Sequence, residues 1–75
     1  METLIKRKVD KCFISGAALK AQRESAGLSQ RDLAALITIA TGQVIYHQKI
    51  SRWENLFEIE LEPVMAFAVQ KILIR

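Results

Sequence analysis

The chain has 75 residues and a formal net charge of +3, with 11 Lys or Arg against 8 Asp or Glu. That length supports one hydrophobic core and therefore one domain. A single cysteine, Cys12, and a single histidine, His47, exclude an internal disulfide and a four-ligand Cys/His zinc site, and 51% hydrophobic residues with 25% charged ones exclude a disordered chain.

Residues 1–12 read as a basic N-terminal arm, carrying Lys6, Arg7, Lys8 and Lys11. The arm lacks the apolar core of a signal peptide, so the protein is expected in the cytoplasm. Residues 1–31 hold seven Lys or Arg against Glu2, Asp10 and Glu24, whereas residues 54–75 hold Lys71 and Arg75 against four glutamates. A basic front and an acidic back suit a molecule with one side facing a polyanion. Taken alone, the basic run reads equally well as a solvated tail.

Ser15 is placed to cap a first helix, in which Ala18, Leu19 and Ala26 alternate with polar residues. Gly27 stops it at the position that favours a left-handed residue. Ser29 then caps a second helix, with Asp32 three residues on completing a capping box. Leu33, Leu36, Ile37 and Ala40 give that helix its i, i+3, i+4, i+7 apolar face, and Gly42 ends it.

Residues 47–55 form a third predicted helix. Ile50 and Trp53 fall on one side, and His47, Gln48, Ser51, Arg52 and Asn55 fall in a polar arc of roughly 140° on the other. A groove-reading helix has this form, and so does an ordinary amphipathic surface helix. Residues 58–62 alternate Glu-Ile-Glu-Leu-Glu with a period of two, but no second strand is evident, so they are expected to be an extended connection. Pro63 opens a last helix, Val64 to about Ile74, with Glu60 and Glu62 near its positive end. Only Gln70 and Lys71 interrupt its apolar run before Arg75. A helix so nearly apolar all round should be buried. A chain this short hides only one face, so Val64, Phe67, Ala68 and Ile72 are candidates for a homodimer interface. The longest uncharged stretch, residues 33–48, is interrupted by polar residues and falls short of the roughly 20 apolar residues of a membrane span.

The expected fold is thus all-α, a bundle of four to five helices in one domain. Residues 1–12 are the arm, 15–55 the central helices, and 56–75 the connection and apolar helix.

The segments LKAQRESAGLSQRDLA (residues 19–34) and KISRWEN (residues 49–55), in this order, resemble the lambda-repressor/Cro-like helix-turn-helix family of XRE-type regulators. The resemblance covers a little over half the chain. It implies that the helix opened by Ser29 and Gln30 lies across a DNA backbone. Gln30 would hydrogen-bond a phosphate and brace the third, recognition helix, with Arg31 a further phosphate candidate. His47, Gln48, Ser51 and Arg52 would face base edges in the major groove, and Asn55 would hold the backbone. Arg23 and Glu54 occupy positions that form an interior ion pair in some relatives, and Trp53 would pack into the core.

Two departures stand out. Leu33 and Ile50 are about six residues further apart than the family's usual spacing. The extra residues read as one more turn of the second helix plus a longer connection. A hairpin of Ile37–Ala40 with Gln43–Tyr46 competes with that reading, and the helix is preferred. Tyr46 stands where relatives carry a Ser or Thr N-cap. Its hydroxyl would reach a phosphate, or its ring would pack beside the longer turn.

The function expected is a sequence-specific double-stranded DNA-binding transcriptional regulator, acting as a homodimer on a two-fold-related operator. No cofactor, metal, small-molecule ligand or membrane is implied. The alternative is a helix-turn-helix protein-interaction module of antitoxin type that does not read DNA. Catalysis has little support, since His47 lacks a paired group, Cys12 lacks a base, and Gly16, Gly27 and Gly42 form no phosphate loop.

Overall fold

A computed structural model describes residues 5–8 and 11–74; residues 1–4, 9 and 10 of the basic arm, and Arg75, lie outside the described residues. Two short segments bury every second side chain. Strand β2 (Lys11–Ser15) buries Cys12 and Ile14, and strand β3 (Glu58–Leu61) buries Ile59 and Leu61. The two pair antiparallel, with Cys12 opposite Leu61 and Ile14 opposite Ile59, so all four apolar side chains share one face. Strand β1 (Lys6–Lys8) pairs with the other edge of β2, giving the sheet order β1-β2-β3.

The fold is therefore mixed α/β, and the all-α bundle is overturned. The Glu-Ile-Glu-Leu alternation is a strand and not an extended connection. Its partner is distant in the chain and overlaps the run read as a basic arm. A strand gains stability only once paired, so the local pattern of one segment does not reveal it. Lys11 lies 4.0 Å from Glu60 across this pairing, with both side chains more than half exposed, so the contact adds little stability.

Among the described residues, four helices complete the fold. Helix α1 (Gly16–Ser25) is capped by Ser15, whose Oγ accepts from the Ala18 N–H at 2.9 Å. Ser15 thus ends a strand and starts a helix. The chain leaves α1 through Gly27 at φ 74°, with the Leu28 N–H donating to the Arg23 carbonyl at 3.1 Å. Helix α2 (Gln30–Thr41) begins with a reciprocal capping box. The Asp32 N–H donates to Ser29 Oγ and the Ser29 N–H to Asp32 Oδ2, each at 3.0 Å. Hydrogen bonding of its carboxyl by the Ser29 backbone N–H, and then by the Ser29 side chain, holds the Asp32 pKa below its ordinary value. Helix α2 runs on to Thr41 and ends at left-handed Gly42, φ 76°, so the competing hairpin over residues 37–46 does not form. Helix α3 spans His47–Glu54, and helix α4 spans Pro63–Leu73 with Pro63 at its first position.

Leu19, Leu33, Ile37, Ile50 and Val69 lie at the centre, each below 2% exposed. Helix α2 packs on α3 and α4, while β2 packs on α1 and α4. Helix α4 therefore sits between a helix and the sheet, burying Met65, Ala66, Ala68, Val69 and Leu73. The Ile5 N–H donates to Gln70 Oε1 at 3.2 Å, tying the start of the first strand to the same helix. Among the described residues, no helix is long and apolar enough to cross a membrane.

Gly16 is required by close approach. Its N–H donates to the Leu56 carbonyl at 3.2 Å, and a Cβ there would overlap the carbonyl oxygens of Trp53, Glu54 and Leu56. Those oxygens belong to backbone and cannot swing aside. Gly16→Ala is expected to destabilise the protein by about 1–3 kcal/mol through overpacking, read as a lower midpoint in urea. An unchanged midpoint would show that α1 and the end of α3 are not in contact here.

Candidate functional site

The last turn of α1, the first turn of α2 and the last turn of α3 meet at one charged node. Arg23 is buried at 8% exposure. Its Nε donates to Glu54 Oε2 at 2.6 Å and its Nη2 to Glu54 Oε1 at 3.2 Å. The remaining nitrogen, Nη1, donates to the Leu28 carbonyl at 2.8 Å. Gln30 Nε2 donates to Glu54 Oε1 at 3.0 Å. The two-pronged arginine–carboxylate geometry fixes both distance and orientation. Burial pushes the Glu54 carboxyl up, but hydrogen bonds from Arg23 and Gln30, with the charges of Arg23 and Lys20, outweigh it and leave its pKa below the ordinary value. The hydrogen bond to Glu54 correspondingly raises the Arg23 pKa against the cost of burial.

This node holds one end of α3, and Ile50 and Trp53, at 0% and 7% exposure, anchor its inner side. The opposite side is free to meet a partner. Gln48 and Arg52 are exposed, one helical turn apart, and His47 and Ser51 are half-buried on the neighbouring edge. Among the described residues, the Gln48 and Arg52 side chains make no hydrogen bond or ion pair. The four residues expected to face base edges therefore lie along one side of α3, but only two stand fully out from it.

The residues expected at phosphates are more scattered in role. Arg31 is exposed on the first turn of α2. Gln30 is half-buried and commits one amide N–H to Glu54, leaving its second. Asn55 is exposed, with Nδ2 donating to the Ser51 carbonyl at 2.8 Å, so it closes the end of its own helix. Tyr46 occupies the N-cap of α3 without a side-chain capping bond and is 69% exposed.

The connection between α2 and α3 supplies residues that sequence reasoning passed over. Ile45 is buried at 7% exposure. Its N–H donates to Thr38 Oγ1 at 2.9 Å, and the same hydroxyl donates to the Ile45 carbonyl at 3.3 Å. Pinning Ile45 inward leaves its neighbours Val44 and Tyr46 outward, 64% and 69% exposed. Val44, Tyr46, Gln48, Lys49 and Arg52 line one open hollow. In the sequence Val44, Ile45 and Tyr46 are three consecutive apolar residues, so only the structure reveals that the middle one points inward and its neighbours outward. Lys49 also places its ammonium 5.8 Å from the centroid of the Trp53 ring.

The four candidates for a homodimer interface divide. Val64 and Phe67 are 58% and 59% exposed on α4, whereas Ala68 is buried and Ile72 is half-buried against the core. Among the described residues, no three His, Cys, Asp or Glu side chains converge as a metal site would need. Comparison of the chain with protein-family models, with curated proteins and with solved structures finds no match.

Proposed function

We propose that this protein is a cytoplasmic, sequence-specific double-stranded DNA-binding regulator of the lambda-repressor/Cro-like type, acting as a homodimer on a two-fold-related operator. One observation carries the reading. Helix α3 is clamped at its base by Ile50, Trp53 and the Arg23–Glu54–Gln30 node, and it presents Gln48 and Arg52 outward without side-chain partners among the described residues. Gln pairs with adenine N6/N7 and Arg with guanine O6/N7, each through two hydrogen bonds. Arg31, Tyr46 and the second N–H of Gln30 would hold phosphates, contacts that position a protein without specifying sequence. Val64 and Phe67 would supply the apolar contact between two copies. Regulation would follow from occupying DNA beside a promoter.

Selection from a random duplex library, followed by fluorescence anisotropy at low and moderate salt, tests this. A palindromic motif whose affinity falls linearly in log–log with salt is expected. Gln48→Ala should cost about 1–3 kcal/mol on the selected site and relax preference at one base pair. Unchanged preference would overturn the assignment of Gln48 as a base reader.

A partner-binding module of antitoxin type is the second reading. It draws on Leu56 and Phe57, 46% and 93% exposed between α3 and β3. Weak, sequence-blind DNA binding together with a salt-insensitive protein complex would favour it.

A further inference from the structure

The hollow between α3 and the connection before it mixes two kinds of surface. Gln48, Lys49 and Arg52 bring polar and cationic groups, while Val44 and Tyr46 bring an aliphatic side chain and a ring. Among the described residues, no carboxylate lines it. The connection is held in one shape. Thr38 clasps both backbone groups of Ile45, and Thr41 Oγ1 donates to the Ile37 carbonyl at 2.8 Å while accepting the Gln43 N–H at 3.1 Å. Val44 is thus presented on a braced turn. An exposed valine beside Gln48 and two cations is an apolar spot within a surface otherwise suited to a polyanion.

In the major groove of DNA, the one aliphatic group on a base edge is the 5-methyl group of thymine. We infer that this hollow receives a thymine methyl group, with Val44 as its contact, at a base pair adjacent to the one Gln48 reads. This inference rests on the proposal that α3 enters the major groove. It assigns the residues between α2 and α3 a role in specificity, so that two elements read sequence: the Gln48–Arg52 edge by hydrogen bonds, and Val44 by apolar contact. The charge of Lys49 and Arg52 favours DNA over an apolar protein segment as the occupant.

The test uses the full chain and the duplex enriched by selection. Each thymine is replaced in turn by deoxyuridine, which removes only the methyl group. Wild type should lose roughly fourfold in affinity at one position per half-site, the worth of one buried methyl group. Val44→Ala should bind the thymine and deoxyuridine duplexes equally at that position. Val44→Thr keeps the shape but replaces one methyl group with a hydroxyl, and should also reduce the ratio. Both substitutions fall at an exposed turn position, and circular dichroism verifies that each variant is folded. If no thymine shows a penalty that depends on residue 44 while Gln48→Ala still changes base preference, this inference is overturned and the DNA-reading proposal stands. If no duplex is enriched at all, both are overturned.

Discussion

Arg23→Ala is expected to lower the stability of this protein by about 3–5 kcal/mol, because it leaves the Glu54 carboxylate buried without its partner. The two side chains are only 10% and 4% exposed, so water cannot replace the lost guanidinium. A 75-residue chain has a total stability of about 4–11 kcal/mol at roughly 0.05–0.15 kcal/mol per residue. The substitution should therefore depress the thermal midpoint by at least about 12 °C, at about 4 °C per kcal/mol for a domain of this size. Lysine at position 23 should not rescue it, since one ammonium cannot reproduce the fork to Glu54 and the bond to the Leu28 carbonyl. Replacing both partners by apolar residues, Arg23→Met with Glu54→Leu, should recover most of the loss. The pH dependence has a definite sign. Glu54 titrates below its ordinary value, so the stability it contributes is complete above the usual carboxylate range and is lost as pH falls through its folded-state value. The gap between wild type and Glu54→Gln should accordingly narrow below about pH 4. A gap independent of pH would show that the pair is not held as ions.

Trp53→Ala is the second substitution expected to cost about 3–5 kcal/mol. Trp53 is 7% exposed and belongs to the same core cluster as Ile50 and Leu33. With Ile45, Leu61 and Met65 it borders the groove where α3 approaches β3 and α4. Removing the ring leaves a cavity at the junction of three elements, which cannot all close over it. Trp53→Phe should cost much less, and Lys49→Ala only about 0.5–1 kcal/mol, the worth of an exposed cation over the ring. Denaturation followed by circular dichroism ranks the three variants. Because Trp53 is the sole tryptophan, acrylamide quenching in the wild type reports its burial directly. A readily quenched fluorophore would place the ring at the surface and remove the reason for the large effect.

The helical part of the fold was largely legible because its signals are local. Ser15, Ser29 with Asp32, Gly27 and Gly42 each act within one turn of chain, and the structure puts caps and left-handed residues at those positions. The inner side of α3 was legible for the same reason, since Ile50 and Trp53 share a helical phase. The Arg23–Glu54 pairing came from the resemblance to a family, because no local rule links residues 31 positions apart. The hollow at Val44 was missed because a longer turn reads as mere length until one residue of it is known to point inward.

What the sequence by itself determined is where the chain turns helical, where each helix stops, and which residues of α3 lie opposite its apolar side. Only the tertiary structure decided that the chain has a sheet, that Ala68 and Ile72 are covered within one copy while Val64 and Phe67 are not, and that Ile45 is drawn inward so that Val44 and Tyr46 stand out beside Gln48 and Arg52. The physical reason is range. Caps and helical phase depend on neighbours within about four residues. The pairing of Cys12 with Leu61, or the burial of Ile45 under Thr38, depends instead on surfaces that exist only after the chain has folded.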